Sequence, residues 1–389
     1  MGPLAGMRVI EIAGRGPGPF AGMLLSDMGA TVVRVDRPDA GERPQSPDAR
    51  LELVSRGRRS IAVDLKKPGG AEVVLRLAEQ ADVLLEGFRP GVTERLGIGP
   101  DDCHARNPRL VYTRLTGWGQ QGPLAQVAGH DINYIAVAGA LDPIGRAGGP
   151  PVPPLNLIGD YAGGGMLAAF GTVCAVLEAR DSGQGQVIDA AMVDGASLLM
   201  TIIHGRRLMG VWNDERGTNY LDSGAAFYDV YETKDGKYVA IGAIEAQFYE
   251  RLLELLDLDP DDLPPRTPEG WPELKRILTD RFRQRTREEW VEHFGDADAC
   301  FAPVLGVGEV HEHPHHRARN SFVELEGVRY PAPAPRFSRT SVNIASSPPE
   351  PGQHDEEVLR EHGFDEGEIA TLRTDQVIAS RLDGQRGGG

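Results

Sequence analysis

The sequence predicts an α/β protein with a large, doubly wound, Rossmann-like domain followed by a smaller α+β domain. Three observations carry this prediction. Short apolar strands alternate with helices in the first half of the chain, a glycine-rich loop joins the first strand to the first helix, and hairpin signals replace that alternation beyond residue 226. Alternating strands and helices are typical of a mostly parallel sheet covered on both faces. The 389 residues are enough for two such domains.

The first half supplies the strands of the large sheet. A strand at 7–12, a helix at 20–27 and a strand at 31–36 form a βαβ unit, because apolar residues recur at strand and then at helix spacing. The same alternation predicts further strands and helices, which are strands at 60–65, 82–85, 110–115 and 186–189 and helices at 70–80 and 166–180.

The second half changes character. One long helix is predicted at 192–209, a linker at 217–224, and strands at 227–231 and 238–241 around the turn sequence Lys234-Asp235-Gly236-Lys237. Helical patterns follow at 246–257, 271–284, 287–294, 355–362 and 365–372, with an extended, proline-rich return at 330–335. The resulting domain boundaries are 1–190 (large domain), 191–226 (linker helix and loop), 227–321 (small domain), 322–375 (return segment and C-terminal helices) and 376–389 (disordered tail).

Composition limits which cellular compartments and which binding partners are expected. The net charge of −16 argues against nucleic acid, since phosphate backbones are bound by basic surfaces. No run of eighteen apolar residues and no secretory signal is recognised, so no membrane segment is expected. The three cysteines are far apart and outside metal-ligand spacing, and reduced thiols in a cytoplasm are expected. The histidines at 311, 313, 315 and 316 straddle a proline in a polar loop, so no metal site is expected.

A local basic set lies within this acidic chain. Its members are Arg34, Arg37, Arg56, Arg58, Arg59, Lys66, Lys67, Arg89 and Arg95. A solvated charged face would explain them on charge alone. However, Arg37, Lys66 and Arg89 each follow a predicted strand, and parallel sheets bind ligands at the carboxyl ends of their strands. This placement favours a small polyanionic ligand.

The loop after the first strand raises an alternative. Gly16 begins a segment that fits G-x-G-x-x-A, and Asp36 falls twenty residues later, where a ribose-binding acid lies in nicotinamide dehydrogenases. Pro17 and Pro19 weaken this interpretation, because they remove N–H groups that a dinucleotide phosphate needs.

His130 is the first candidate catalytic residue. It lies between Gly129 and a predicted helix start at Asp131. The positive end of the helix dipole disfavours an imidazolium there, so the ring would be available as a base. The backbone N–H of Asp131 could hold a developing enolate oxygen. A lone histidine is nevertheless more often structural.

Asp160 is the second candidate. By itself it could be a simple helix N-cap. The glycines at 163, 164 and 165 are unusual for a cap, because glycine costs about 1 kcal/mol per helical position, and they indicate that something bulky passes close to this backbone. Asn156 could orient the carboxyl group or bind a substrate carbonyl.

Several segments together resemble the α-methylacyl-CoA racemases of the family III CoA-transferase superfamily, and the resemblance covers nearly the whole chain. The segments that carry it are 2–6, 16–20, 35–38, 63–66, 86–92, 116–120, 129–134, 156–160, 193–195 and 352–354. The resemblance implies that one set of residues binds coenzyme A. These are Arg37, Lys66, Arg89 and Arg95 at its phosphates, and Val63, Asp64, Leu65, Gly87, Phe88, Gly129 and Tyr134 along its adenine and pantetheine path.

The resemblance also implies a mechanism. His130 and Asp160 would be two bases on opposite sides of the α-carbon of an acyl-CoA substrate, with Glu245 supporting His130 from the small domain. The reaction would be epimerisation of a 2-methylacyl-CoA thioester without a cofactor, in an interlocked homodimer. The other branch of the superfamily, the CoA-transferases, uses an aspartate at the position of Asp160 as a nucleophile. Residues 242–248 lack the glycine run of that branch, which favours the racemase.

Overall fold

The computed structural model describes residues 1–38 and 48–378, and the chain divides into two compact units. The first comprises Met1–Ala138, Leu155–Leu199 and the chain from Arg317 onward, and the second comprises Gly139–Pro154 and Met200–His316. This division differs from the predicted boundaries. Residues 139–154 belong to the second unit, and the start of the predicted linker helix belongs to the first.

A six-stranded sheet in the order β3-β2-β1-β4-β5-β6, with all neighbours parallel, forms the centre of the first unit. Its strands are β1 Arg8–Ile12, β2 Thr31–Asp36, β3 Arg58–Ala62, β4 Val83–Glu86, β5 Val111–Thr116 and β6 Val187–Ala191. Every residue of β4 and β5 is buried, as expected for the middle of a parallel sheet covered on both faces. The predicted doubly wound sheet is confirmed.

Helices cover both faces of this sheet. They are α1 Pro17–Asp27, α2 Gly70–Ala78, α3 Val92–Arg95, α4 Pro100–Arg106, α5 Asp131–Val137, a π-helix at Leu157–Met166 that continues into α6 Leu167–Ser182, and α7 Met192–Leu199. Apolar residues of α1 and α6 form one core with the sheet, and those of α2 form the other. The stretch Leu157–Ser182 is long and apolar enough, by length and composition alone, to cross a membrane. Core helices of soluble proteins share this property, and the buried face of this stretch packs in the core that α1 and α6 form with the sheet.

The second unit contains a three-stranded antiparallel sheet and several helices. In chain order its elements, up to the return to the first unit, are α8 Thr201–Leu208, β7 Tyr228–Glu232, β8 Tyr238–Gly242, α9 Ala246–Leu255, α10 Trp271–Phe282, α11 Arg287–Phe294, β9 Phe301–Pro303 and α12 Pro314–Ala318. The hairpin predicted around Asp235-Gly236 is confirmed as β7 and β8. The single helix predicted at 192–209 is wrong, because the backbone of Met200 leaves the helical region at ψ 3° and separates α7 from α8.

The C-terminal part returns to the large sheet. The hairpin β10 Phe322–Leu325 and β11 Val328–Pro331 is followed by α13 Asp355–Glu361 and α14 Glu366–Thr374, which pack into the α2 core. Beyond α14, Ile378 forms a β-bridge with Val63, and the Asp64 N–H donates to the carbonyl of Val377 at 2.8 Å. The prediction of disorder from residue 376 is therefore wrong for 376–378, and residues 379–389 lie outside the described part of the chain.

Candidate active site

A cavity of about 450 Å³ opens at the carboxyl ends of β1, β4 and β5. The strand order reverses between β1 and β4, and the loops that leave neighbouring strands at such a point diverge and leave a crevice. Three loops and the start of α5 line the cavity, including Gly14, Arg15, Gly87, Phe88, Arg89, Trp118, Gly129, His130 and Tyr134. The cavity therefore brings together five of the residues predicted for coenzyme A with one predicted base.

Asp160 lies on the π-helix and is held by two hydrogen bonds. Its Oδ2 accepts from Nδ2 of Asn156 at 3.0 Å, and its backbone N–H donates to Oδ2 of Asp131 at 2.7 Å. A Cβ added to Gly16 would lie 3.1 Å from Asp160 Oδ2, so the loop after β1 faces this carboxyl group. The structure thus brings Asn156, Asp160 and Asp131 together.

The glycines at 163, 164 and 165 do allow a close approach, and the structure shows what approaches. A Cβ at Gly163 would lie 2.8 Å from the backbone N of Ala196 on α7, and one at Gly165 would lie 2.8 Å from both Phe20 and the Pro17 carbonyl on α1. The bulky neighbours are therefore two helices of the protein itself. The glycines let α1 and α7 pack tightly on the wide helix that carries Asp160, and π-helical turns are frequent at functional sites.

His130 occupies the N-cap position of α5. Its backbone N–H donates to Oδ1 of Asn133 at 3.0 Å, and its side chain is exposed. The preceding residue is fixed as well, because the Tyr134 hydroxyl donates to the carbonyl of Gly129. Tyr134 is buried with its ring against Trp118, at 4.9 Å between centroids, in the space that glycine at 117 and at 129 leaves open. His130 thus stands on a fixed backbone while its ring is accessible from the cavity.

The carboxyl group of Asp160 has a perturbed proton affinity. Burial raises the pKa of Asp160, and the nearby charge of Asp131 raises it further, whereas the hydrogen bond from Asn156 and the charge of His130 lower it. Desolvation is the largest cause, so the protonated form is favoured relative to an exposed aspartate. Titratable groups with perturbed pKa values in a cleft are typical of catalytic sites.

Eight of the nine cations of the basic set separate into two groups, and the ninth, Lys67, is half-buried. Four are held within the fold by ion pairs, namely Arg34 with Asp36, Arg56 with Asp27, Arg58 with Glu11 and Arg59 with Glu357 and Glu361. The four implied phosphate ligands are all exposed, and they are Arg37, Lys66, Arg89 and Arg95. Within residues 1–38 and 48–378, none of the four forms an ion pair. The structure therefore leaves the second group accessible to a ligand.

The other predicted site residues differ in how accessible their side chains are to a ligand. Val63 is 1% exposed and packs in the α2 core, so its side chain is not presented to a ligand. The Asp64 carboxylate accepts from the N–H of Lys66 at 3.0 Å, and Leu65 is partly buried against the same core. Glu245 is exposed in the second unit, at the residue before α9, and its support of His130 stays a prediction.

Sequence reasoning missed Arg114, which braces the segment that carries two of the four implied phosphate ligands, Arg89 and Arg95. Its guanidinium contacts Glu86 at 2.9 Å and Glu94 at 2.7 Å, at the end of β4 and on α3. Glu86 in turn accepts from the N–H of Phe88 at 2.6 Å. The one signal in the sequence is an arginine inside an otherwise apolar strand, which needs a buried partner.

Asp36 does not have the environment that the dehydrogenase alternative needs. Its carboxylate contacts the Arg34 guanidinium at 3.0 Å and accepts from the Ser60 hydroxyl at 2.6 Å. These partners belong to β2 and β3 and occupy both oxygens, which a ribose would otherwise use. Within residues 1–38 and 48–378, no group of three or more His, Cys, Asp or Glu residues is arranged to hold a metal ion.

Comparisons with known proteins agree with this geometry. The sequence matches CoA-transferase family III over residues 4–355. Alpha-methylacyl-CoA racemase from Mus musculus is 46% identical over 381 residues, which cover 97% of this chain and 98% of the relative. Succinyl-CoA:glutarate CoA-transferase from Mus musculus is 32% identical over 400 residues, which cover 97% and 91%. A CAIB/BAIF family protein from Brucella suis superimposes with a TM-score of 0.82 at 25% identity, over 93% of this chain and 99% of that one.

A doubly wound α/β enzyme with a carboxyl group and a histidine at the switch point of its sheet is the class that the fold and the site define. The chain belongs to CoA-transferase family III, a family whose named members include racemases as well as transferases. The resemblance found in the sequence and the fold that it implied are thereby confirmed.

Proposed function

We propose that this protein is a racemase that interconverts the two epimers of 2-methylacyl-CoA thioesters without a cofactor. One observation carries the proposal. The backbone N–H of Asp160, whose pKa is raised by burial, donates at 2.7 Å to the carboxylate of Asp131, the residue next to His130, so a protonatable carboxyl group and a histidine lie on two elements in contact. The 46% identity to a racemase, against 32% to a transferase, supports the same choice.

The proposed reaction is a proton transfer in two steps. In one direction neutral His130 removes the C2 proton, the thioester carbonyl becomes an enolate oxygen, and Asp160 in its acid form returns a proton to the opposite face of C2. The reverse direction exchanges the two roles, and solvent restores the starting protonation states. Two groups are needed because each addresses one face of the planar enolate.

The enolate oxygen would be held by the backbone N–H of Asp131, in the first turn of α5. The helix dipole favours negative charge at that point. A positioned base typically contributes about 10²–10⁴-fold and one oxyanion donor about 10²–10³-fold, so the weakly acidic C2 proton requires both. Binding of coenzyme A is assigned to the exposed cations, Arg37, Lys66, Arg89 and Arg95.

We further propose that the enzyme is a homodimer. The outward face of α6 exposes Phe170 at 67% and Leu177 at 57%, and α8 exposes Ile202 at 58% and Leu208 at 88%. Large apolar side chains exposed on one helix face are typical of association surfaces. A second copy of the chain is the occupant that the resemblance implies.

Deuterium exchange tests the proposed function. Each epimer of a 2-methylacyl-CoA ester is incubated with the protein in heavy water, without any carboxylate acceptor, and deuterium at C2 is measured by mass spectrometry. We expect wash-in from both epimers together with loss of optical purity. His130→Ala should reduce racemisation by about 10²–10⁴-fold, and a fully active variant would remove His130 as a base.

The transferase alternative predicts the opposite result. Asp160 would then attack the thioester carbonyl as a nucleophile, releasing coenzyme A as a thiolate and forming an acyl anhydride. The thiolate would attack the Asp160 carbonyl of this anhydride, which releases the donor acid and leaves a CoA thioester on Asp160. An acceptor carboxylate would attack that thioester, and the thiolate released again would attack the acceptor carbonyl of the new anhydride, giving the acceptor CoA ester and free Asp160. No exchange at C2, combined with transfer of coenzyme A to added succinate or glutarate, would overturn the racemase proposal in favour of this one.

A further inference from the structure

The side chain of Asp131 joins the two elements that carry the candidate bases. Asp131 directly follows His130 on α5, and its Oδ2 accepts the backbone N–H of Asp160 on the π-helix at 2.7 Å. Neither the reaction nor the enolate-binding role of the Asp131 N–H uses this carboxylate. One side chain therefore connects the backbone of one candidate base to the backbone of the other.

The Asp131 carboxylate is buried with fewer hydrogen bonds than its two oxygens could accept. Asp131 is 6% exposed, and its second oxygen, Oδ1, is buried without a hydrogen-bond partner within the described residues. Burial of a charged group with incomplete hydrogen bonding is costly, and stability alone would favour a smaller or neutral residue. A cost of this kind beside a reaction centre points to a functional role.

A second residue is adapted to the same contact. A Cβ added to Gly159 would lie 2.6 Å from Asp131 Oδ2 and 3.2 Å from Ile135 on the same face of α5. Any side chain at 159 would push the π-helix away and lengthen the bond to the Asp160 N–H. The glycine before Asp160 thus permits the close approach that the Asp131 carboxylate uses.

Charge adds a second effect. The groups that influence the Asp160 carboxyl are few: Asp131 raises its pKa as a like charge after burial, and His130 and the bond from Asn156 lower it. Of the elements packed on the π-helix, α5 also contributes Tyr134, α7 contributes Asp194, and β6 contributes Asp189. The titratable residues of β5, α1 and α6 are Tyr112, Arg114, Asp27, Cys174, Glu178, Arg180 and Asp181. Asp131 is the group that both contacts Asp160 and repels its negative charge.

We propose that the Asp131 side chain is a positioning residue: its carboxylate fixes the backbone of Asp160 next to the helix start that carries His130, and it places a like charge beside the Asp160 carboxyl group. This inference rests on the proposed two-base racemisation. It assigns a role to the side chain that is separate from that of the Asp131 N–H, which any residue at this position would supply.

The variant Asp131→Asn separates charge from geometry, because the amide oxygen can still accept the Asp160 N–H. Loss of the like charge lowers the pKa of Asp160. The pH profile of kcat for racemisation should therefore move to lower pH, with kcat on its basic limb reduced about threefold to tenfold and KM for the acyl-CoA ester unchanged within about twofold. Asp131→Ala, which removes both effects, should lose more activity, and asparagine should restore part of it.

Asp101→Asn is the matched control, since it makes the same change of charge at an exposed residue of α4 in the same unit. Its pH profile should superimpose on that of the wild type. The proposal is overturned if the profile of Asp131→Asn also superimposes on the wild type. Thermal unfolding with and without the CoA ester verifies that each variant is folded, and Asp131→Asn alone decides the question if Asp131→Ala does not fold. Failure of the wild type to exchange C2 protons would instead remove the proposed function itself.

Discussion

The two halves of the candidate site are built in opposite ways. The histidine half consists of Gly129, His130 and Tyr134 at the start of α5, where the ring of His130 is exposed and only the backbone is fixed. The aspartate half consists of Asn156 and Asp160 on the π-helix, where the carboxyl group is partly buried and hydrogen-bonded. One candidate base is thus accessible to water, and the other is desolvated.

This difference matches what a two-base reaction requires. The two groups must start in opposite protonation states, so an environment that treats them alike would be unproductive. Desolvation favours the neutral acid form of Asp160, whereas the exposed imidazole can exchange protons with solvent. The unequal environments therefore give each half a distinct task.

The largest effect is expected when either half loses its base. His130→Ala and Asp160→Asn should each reduce racemisation by about 10²–10⁴-fold, because one face of the enolate no longer has an acid or base. The remaining base still exchanges the proton of the epimer that faces it. We expect C2 deuterium exchange to survive from one epimer in the first variant and from the other epimer in the second, as measured by mass spectrometry.

The opposite selectivity of the two variants is the decisive feature. Binding of the CoA ester, measured by its thermal stabilisation of each variant, serves as the control for a correctly formed site. If both variants lost exchange from the same epimer, the two halves would not face opposite sides of C2.

The next effect concerns the packing behind the aspartate half. Gly165→Ala would place a Cβ 2.8 Å from Phe20 and from the Pro17 carbonyl, so we expect a loss of about 1–3 kcal/mol in the free energy of unfolding and a displaced Asp160. Gly171→Ala on α6 is the matched control, because its Cβ would meet Ile188 at an ordinary 3.8 Å. Alanine there should be neutral or stabilise by up to about 1 kcal/mol. Urea unfolding measures both, and equal effects would contradict the packing role.

The sequence predicts the features that depend on neighbouring residues, and it does not predict those that depend on residues far apart along the chain. The parallel sheet follows from local alternation, and the hairpin around Asp235-Gly236 follows from its turn residues, so both were predictable. The break between α7 and α8 at Met200 was not, because the apolar pattern continues through it. The glycine run on the π-helix was recognised as a close approach, yet its partners on α1 and α7 are set only by the tertiary fold.

The basic set illustrates the same limit. Sequence placed Arg56, Arg58 and Arg89 in one group, because charge and proximity along the chain do not distinguish them. In the fold, Arg56 pairs with Asp27 and Arg58 with Glu11, whereas Arg89 lines the cavity. The partners lie 29 and 47 residues away along the chain, beyond any local signal. Position after a strand was a useful criterion, since Arg37, Lys66 and Arg89 are exposed; it does not identify Arg95, which is exposed on α3.

A smaller effect is expected from the support of the histidine half. Tyr134→Phe removes the hydrogen bond to the Gly129 carbonyl, so we expect a loss of about 1 kcal/mol in stability and a several-fold lower kcat through a less fixed His130. Tyr112→Phe is the control, because it removes a comparable buried bond, to the Ile98 carbonyl at 2.9 Å, on the other side of the sheet. It should lose similar stability with kcat unchanged. An equal loss of kcat in both variants would mean that the effect of Tyr134 is not local.

The smallest expected effect is on the free energy of unfolding instead of the reaction rate, and it concerns the aspartate half. Folding raises the pKa of Asp160 through burial, so the ionised form is less favourable in the folded chain than in the unfolded one. The stability of the wild type therefore decreases as the pH rises through the folded pKa, and Asp160→Asn avoids that loss. The variant should be more stable than the wild type at pH 8, by under about 1 kcal/mol because the carboxyl group is only partly buried, and the advantage should vanish at low pH.

Asp101→Asn, which removes an exposed carboxylate, should show no such pH-dependent gain in urea unfolding. An Asp160→Asn variant that is less stable than the wild type at pH 8 would mean that the hydrogen bond from Asn156 to the carboxylate outweighs the cost of desolvating it.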